Sequence, residues 1–295
     1  MGIIVLRGIN GDKGRKSMIT SLQDTITLHN DVKMPGFGLG VYKMEEGNEV
    51  ISAIKNAVKV GYRAVDTAAL YHNEEGVGVA IKECGIPREE LFITTKVWNS
   101  DQGYESTLAA FQKSLDKLDL EYVDLYLIHW PVVEKYKDTW RAMETLYKQG
   151  KVRAIGVSNF HQHHLEDLLS VAEIKPMVNQ VELHPLLSQK ELRDYCQSEG
   201  IVVTAWSPLA RGKCLDLPEL QEIAKKYRKS VAQIVLRWDV QHRIITIPKS
   251  VHENRIRENA DIFDFELTSD EMASIDALNK NERVGQNPDH FHFDF

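Results

Sequence analysis

From Gly36 onward one pattern recurs: a short apolar run rich in β-branched residues, followed by a stretch with helical spacing. The runs are Gly36-Phe37-Gly38, Ala64-Val65-Asp66, Leu91 to Lys96, Val123 to His129, Val152 to Ser158, Met177 to Val181, Ile201 to Trp206 and Ile244 to Ile247. After the first, most recur at about 25 to 30 residues, the size of one strand–helix unit. Glu49 to Val60, Tyr104 to Leu118, Thr139 to Lys148, Leu165 to Val171 and Gln189 to Ser198 carry apolar residues three and four apart, so each offers one face to a core. Eight such units in series imply a parallel sheet with helices outside. Closing that sheet gives a (β/α)8 TIM barrel. An open doubly wound sheet is the rival, and it favours a GxGxxG turn opening a helix. Gly36, Gly38 and Gly40 form GxGxG instead, and Val41-Tyr42-Lys43 after them opens no helix.

Thr25 to Leu28 and Val32 to Met34 flank His29-Asn30-Asp31 and read as an N-terminal β-hairpin, placed to plug the barrel's N-terminal mouth. Before the last strand lie two helical stretches, Pro218 to Tyr227 and Val231 to Gln241, so one is extra to the eightfold repeat. Residues 1–17 carry a basic excess and too short an apolar core for a signal peptide. They read as an extension outside the fold, leaving 18–295 as one barrel domain. Gly285 to Phe295 has no clear period but carries Phe291, Phe293 and Phe295, which could lie loose or cover a site.

Composition narrows the function classes. With 43% hydrophobic and 27% charged residues, the 295-residue chain is neither disordered nor low-complexity. A net charge of −7 argues against nucleic-acid and anionic-membrane binding. No apolar run approaches the roughly 18 residues of a membrane span. Cys84, Cys196 and Cys214 sit far apart, with no zinc-ligand spacing, as buried inert thiols of a reducing cytoplasm would. His161, His163 and His164 could put two rings on one helical face. No carboxylate or cysteine completes an evident metal site in the sequence, so no metal is expected.

Buried barrel strands should be apolar throughout, yet three consecutive ones end in Asp66, Lys96 and His129. Barrels place reacting groups at these C-terminal strand ends. Tyr71 follows Asp66 in the loop beyond. An ammonium at Lys96 would lower the pKa of the Tyr71 phenol, and Asp66 would keep Lys96 protonated. Tyr71 is then a general acid poised nearer neutral pH, and His129 can hydrogen-bond a substrate oxygen. A carbonyl held between Tyr71 and His129 would be polarised for attack. Trp98 and Trp130 each follow one of these strands and should wall the mouth.

The segments GFGLG, AVDTAALYHNEEGVG, LFITTKVWN, VDLYLIHWP, IGVSNF, NQVELHP and IPKSVHENRIREN, running from about Thr25 to Gln286, resemble those of the aldo-keto reductases. The chain looks like the microbial branch that includes methylglyoxal reductases, diketogluconate reductases and prostaglandin F synthases, and its NEEGVG, KVWNSDQGY and HWPVVEKYKDTWRAME stretches most resemble the glyoxal and methylglyoxal reductases. The resemblance implies a monomeric barrel that binds NADPH without a Rossmann fold, with a catalytic tetrad on Asp66, Tyr71, Lys96 and His129. It places the nicotinamide carboxamide on Ser158, Asn159 and Gln180, and a stacking ring at Trp206. Ser207 and Leu209 fall on the pyrophosphate stretch, and Gly40 and Val41 on the floor under the nicotinamide. Lys249, Ser250 and Arg255 match the clamp on the adenosine 2′-phosphate, and Glu258 and Asn259 match the adenine contacts. The same resemblance implies that Tyr42, Trp98 and Trp130 line the substrate cleft, beside Val97 and Asn99.

The phosphate cluster also stands on the residues alone. Lys249 and Ser250 end the last strand, the usual phosphate corner of a barrel, and Arg255 starts a helix just beyond. A solvated helix start is the alternative. Aromatic walls with few charges suit small aldehydes and apolar ketones, and the resemblance implies that 131–136 and 210–218 are shortened forms of the long substrate loops of the steroid-handling branch. Two other functions remain open at this point: a Schiff-base lyase using Lys96 or Lys249, and a non-enzymatic barrel that senses NADPH.

Overall fold

Val, Ile and Leu dominate the strand runs because parallel barrel strands are covered on both faces. In the structure, a computed structural model that describes residues 18–293, β5 (Phe92–Val97) and β6 (Val123–Ile128) are buried at every position. The expectations for residues 1–17 and for Phe295 lie outside the described residues. β5 and β6 sit within an eight-stranded parallel sheet with β3 (Leu39–Gly40), β4 (Ala64–Asp66), β7 (Val152–Ser158), β8 (Val178–Glu182), β9 (Val202–Trp206) and β10 (Ile245–Thr246). The strands lie in sequence order, each hydrogen-bonded to the next.

The sheet closes. Phe37 bridges Thr246 in parallel, and Gly38 N–H donates to Thr246 O at 3.0 Å. Gly40 belongs to this seam: a Cβ there would stand 2.8 Å from Ile247 O. The first strand differs from the Gly36–Gly38 expectation. Its ladder with β4 is Leu39–Gly40, and the earlier residues turn instead to β10 on the other side. One short segment pairs in two directions at two registers, so its apolar run ends before its ladder begins.

The hairpin of β1 (Thr25–Thr27) and β2 (Lys33–Pro35) plugs the lower mouth as expected. Ile26, Leu28 and Met34 are buried beneath the barrel. Asn30 Nδ2 donates to Arg153 O at the foot of β7, and His29 Nε2 lies 3.1 Å from Lys175 O before β8.

Around the barrel run α1 (Asn48–Val60), α2 (Glu74–Glu83), α3 (Tyr104–Leu118), α4 (Tyr136–Lys148), α5 (Gln162–Leu169) and α6 (Lys190–Ser198). α7 (Pro218–Tyr227) and α8 (Val231–Gln241) both precede β10, which confirms the supernumerary helix. α9 (Glu253–Ala260) and α10 (Ser269–Asp276) follow. α10 has a single buried residue, Ile275, too weak a stripe for the periodicity to reveal. Its start is set instead by a capping box, Thr268 Oγ1 accepting from Glu271 N. Cys196 and Cys214 are buried free thiols, each pushed up to about 12 by burial. Cys84 is free and half-buried. Among the described residues no helix is long and apolar enough to cross a membrane.

Candidate active site

Three neighbouring strands deliver their polar ends to one point at the upper mouth. Asp66 is the last residue of β4, Lys96 the penultimate residue of β5, and His129 directly follows β6. Lys96 Nζ lies 2.5 Å from Asp66 Oδ1, 2.9 Å from Thr67 O and 3.2 Å from Tyr71 Oη. Its side chain has no solvent exposure, so an uncompensated charge there would be costly; the carboxylate and two oxygens meet that demand. The Tyr71 ring stands edge-on to His129, with centroids 5.8 Å apart. A short 3-10 turn, Ala69–Tyr71, sets this position, and Asn73 braces it. Asn73 Oδ1 accepts from Thr67 Oγ1, and its Nδ2 donates to Val41 O and Met44 O.

Electrostatics of the cluster follow from burial. Desolvation lowers the Lys96 pKa, but Asp66 and then Tyr71 reverse the effect and hold the ammonium above its ordinary pKa. Burial also holds His129 well below the usual histidine value, with Lys96 adding to it, so the ring is neutral. Tyr71 departs from expectation. Burial raises the phenol above its ordinary value, and the Lys96 ammonium only partly opposes this. Desolvation of a phenolate outweighs one partner whose charge Asp66 already shares.

Opposite this cluster, β7, β8 and β9 place the amide-type residues. Ser158 and Gln180 are in register, and Ser158 Oγ donates to Gln180 O at 2.8 Å. Asn159 has φ 62, a left-handed conformation that asparagine tolerates. Its Nδ2 donates to His129 O, and its Oδ1 accepts from Trp206 Nε1 at 2.8 Å. Ser207, which opens the Ser207–Leu209 stretch after β9, and Ala210, which directly follows it, also have positive φ, at 48° and 50°.

Lys249 and Ser250 lie beyond the two-residue β10 rather than in it, and Arg255 sits in the first turn of α9. Lys249 and Arg255 are exposed, and among the described residues neither has an ion pair. Ser250 is buried, its Oγ accepting from His252 N. Glu258 is exposed and Asn259 buried on the same helix. Two unpaired cations with a serine and a helix start suit a phosphate dianion. Gly40 and Val41 are buried beside Asp66, whose carbonyl accepts from Val41 N.

Trp98 and Trp130 are both buried and meet through the Phe293 ring. Trp98 packs edge-on to His129, with centroids 5.2 Å apart. Tyr42 is exposed and stands 5.0 Å from the Tyr71 ring. The C-terminal segment covers the two tryptophans: Phe291 lies on Trp130, and Phe293 touches both Trp130 and Trp98. Asn99 is buried with both amide atoms unpartnered.

Sequence reasoning missed Glu182, although a carboxylate inside a buried strand was a usable signal. Glu182 Oε1 lies 2.9 Å from His184 Nε2 and accepts from Val284 N, while Oε2 accepts from Gly285 N. Burial would raise its carboxyl, but His184 and these backbone donors hold it below the usual range. Gly285 is thereby pressed against the Trp206 ring, where a Cβ would come within 2.4 Å.

A closed eight-stranded barrel with a Lys–Asp–Tyr–His cluster at its upper mouth matches the aldo/keto reductase family model over residues 36–280, and the chain belongs to that family. It is 67% identical over 276 residues to a glyoxal reductase of Bacillus subtilis, covering 94% of this chain and all of that one. It is 47% identical over 270 residues to a methylglyoxal reductase of Salmonella typhimurium, covering 90% of this chain and 97% of that one. Among solved structures, a mutant of Gox0644 in complex with NADPH superposes with a TM-score of 0.88 at 42% identity, covering 92% of this chain and 99% of that one.

Proposed function

We propose that the chain reduces small aldehydes and ketones to alcohols with NADPH as cofactor. The observation that carries this reading is the Lys96 ammonium held between Asp66 and the Tyr71 hydroxyl, beside a neutral His129 and under an aromatic wall. Bound NADPH would supply a hydride to the carbonyl carbon. Tyr71 donates the proton that the developing alkoxide needs. Its raised pKa keeps that proton in place at neutral pH, and Lys96 stabilises the phenolate left behind. His129, neutral, orients the carbonyl oxygen by hydrogen bonding. Ser158, Asn159 and Gln180 present the donors and acceptors that a carboxamide requires, and Trp206 offers a ring face for stacking. Gly40 and Val41 form the floor, and Ser207 and Leu209 wrap the pyrophosphate. Lys249, Ser250 and Arg255 hold the 2′-phosphate, with Glu258 and Asn259 at the adenine. All these groups come from one chain, and the reading needs no second copy.

Apolar walls from Trp98 and Trp130, with Tyr42 at the rim, favour short dicarbonyls and aromatic aldehydes. The glyoxal and methylglyoxal reductases among the relatives support this choice. The Schiff-base alternative at Lys96 loses ground, because Lys96 is held charged and a nucleophilic amine must be neutral. NADPH consumption across short dicarbonyls, aromatic aldehydes, sugars and ketones tests the proposal. Methylglyoxal and nitrobenzaldehyde-type substrates are expected among the fastest. Turnover of steroids alone, or sugars alone, would overturn the pocket reading.

A further inference from the structure

The C-terminal segment is fastened at Asp289. His161 Nδ1 lies 3.0 Å from Asp289 Oδ2, and His163 Nε2 and His164 Nε2 lie 3.0 and 3.6 Å from Oδ1. Three imidazoles and a carboxylate whose ligand atoms fall within 4.8 Å have the composition of a transition-metal site. The protons argue otherwise. Arg283 Nη2 sits 2.9 Å from His161 Nε2. A guanidinium only donates, so Nε2 accepts and the neutral ring carries its hydrogen on Nδ1, facing Asp289. The backbone N–H of His161 donates to His164 Nδ1 at 3.0 Å, which places the hydrogen of neutral His164 on Nε2, again facing Asp289. Both rings thus present N–H groups where a cation needs lone pairs. Arg283 and the positive end of α5 add two further preferences for an anion. The cluster is built to receive a carboxylate, and Asp289 is the carboxylate it holds.

Two and four residues beyond Asp289, Phe291 and Phe293 pack on Trp130 and Trp98, with centroids 5.1 to 5.2 Å apart. A separate anchor, Glu182, holds the start of the segment at Val284 and Gly285. The far half therefore has its own fastening. We propose that Asp289 is a positioning residue: seated among His161, His163, His164 and Arg283, it latches the C-terminal segment so that Phe291 and Phe293 complete the apolar wall of the carbonyl cleft. This rests on the carbonyl-reductase reading for its kinetic consequence, but not for its structural one. Releasing the latch removes wall area that a ring-bearing substrate uses and a two-carbon substrate does not.

The structural test is amide hydrogen exchange on Asp289→Ala, Asp289→Glu and His163→Ala chains carrying no polyhistidine tag. The His290 and His292 amides are useful reporters, since they donate to Asn287 O and Gln286 Oε1. Asp289→Ala should speed their exchange by about tenfold or more while the Val284 and Gly285 amides keep their wild-type rates. Asp289→Glu should recover part of the protection. His163→Ala, a surface change, should weaken the latch by a smaller factor. In parallel, KM for an aromatic aldehyde should rise by about tenfold in Asp289→Ala, with kcat for glyoxal within about twofold of wild type. Wild-type exchange at His290 and His292 in Asp289→Ala overturns the latch. So does tight one-to-one Zn2+ binding to the wild-type chain that Asp289→Ala abolishes, since it makes the cluster a metal site. Faster exchange in a chain that reduces no carbonyl upholds the latch and overturns the reductase reading instead.

Discussion

Gln180 spans the barrel to donate its amide N–H to Asp66 Oδ2 at 2.6 Å, across 114 residues of sequence. β8 and β4 are four strands apart in an eight-strand ring, so this bond crosses the full width of the mouth. Asp66 thereby serves both sides of the site. Its Oδ1 holds Lys96, while its Oδ2 orients an amide on the proposed cofactor side. The arrangement couples the proton-donating cluster to the cofactor cradle through one carboxylate.

Tyr71→Phe removes one hydroxyl from a half-buried ring and leaves the packing against His129. Loss of general acid catalysis should lower kcat by about 10²- to 10⁴-fold. NADPH affinity, read by fluorescence titration, should stay near the wild-type value. Unimpaired turnover would remove Tyr71 from the role of acid.

Asp66→Ala strips a buried ammonium of its counter-charge. Breaking such a pair typically costs about 3–5 kcal/mol, and thermal or denaturant unfolding should show a loss of that order. A Lys96→Met, Asp66→Leu double variant should recover much of the stability and none of the activity. Activity in the double variant would mean the pair is not part of the proton path.

The pH dependence has a definite sign. In reduction Tyr71 must carry its proton, and burial holds its pKa above the ordinary tyrosine value. Reduction should therefore stay level through neutral pH and fall as pH rises through the raised phenol pKa, while alcohol oxidation rises over the same interval. His129 lies well below the usual histidine value and should add no limb between about pH 6 and 8. A limb there that disappears in His129→Gln would contradict the neutral assignment.

Lys249→Ala and Arg255→Ala each remove an exposed cation proposed to contact the 2′-phosphate. A charge-assisted hydrogen bond is worth about 1.5–3 kcal/mol before solvent screening, so each change should weaken NADPH by about tenfold. Affinity for NADH should be unaffected in both. Together they should erase a preference for NADPH on the order of 100-fold. Equal losses for both cofactors would place these cations elsewhere.

Gly285→Ala puts a methyl 2.4 Å from the Trp206 ring and 2.9 Å from Glu182 Oε2. Trp206 is pinned at its other end by Asn159, so it must rotate or release that bond. NADPH binding should weaken and its quenching of tryptophan fluorescence should diminish, while Tyr71 and Lys96 keep their geometry. Unchanged binding and quenching would show that the ring plane is not set from the C-terminal side.

Much of this was legible in the chain. Local periodicity marks strands and helices because side chains repeat every second or every third to fourth residue, whatever the rest of the fold does. Asp66, Lys96 and His129 were visible as polar ends on strands that should be apolar throughout, and all three converge with Tyr71. The first strand was misplaced because its ladder is only Leu39–Gly40 and its earlier residues serve the closing seam. Helix α10 was missed because one buried residue makes no stripe.

Sequence alone thus determined the repeating unit, the barrel class and which side chains stand at strand ends, since those depend on neighbours within one turn or one pleat. Only the tertiary structure decided that Gln180 meets Asp66, that Asp289 seats among His161, His163 and His164, and that burial outweighs Lys96 at the Tyr71 phenol. Each depends on closure of the ring, which fixes distances between residues more than a hundred positions apart and the depth at which a charge is buried.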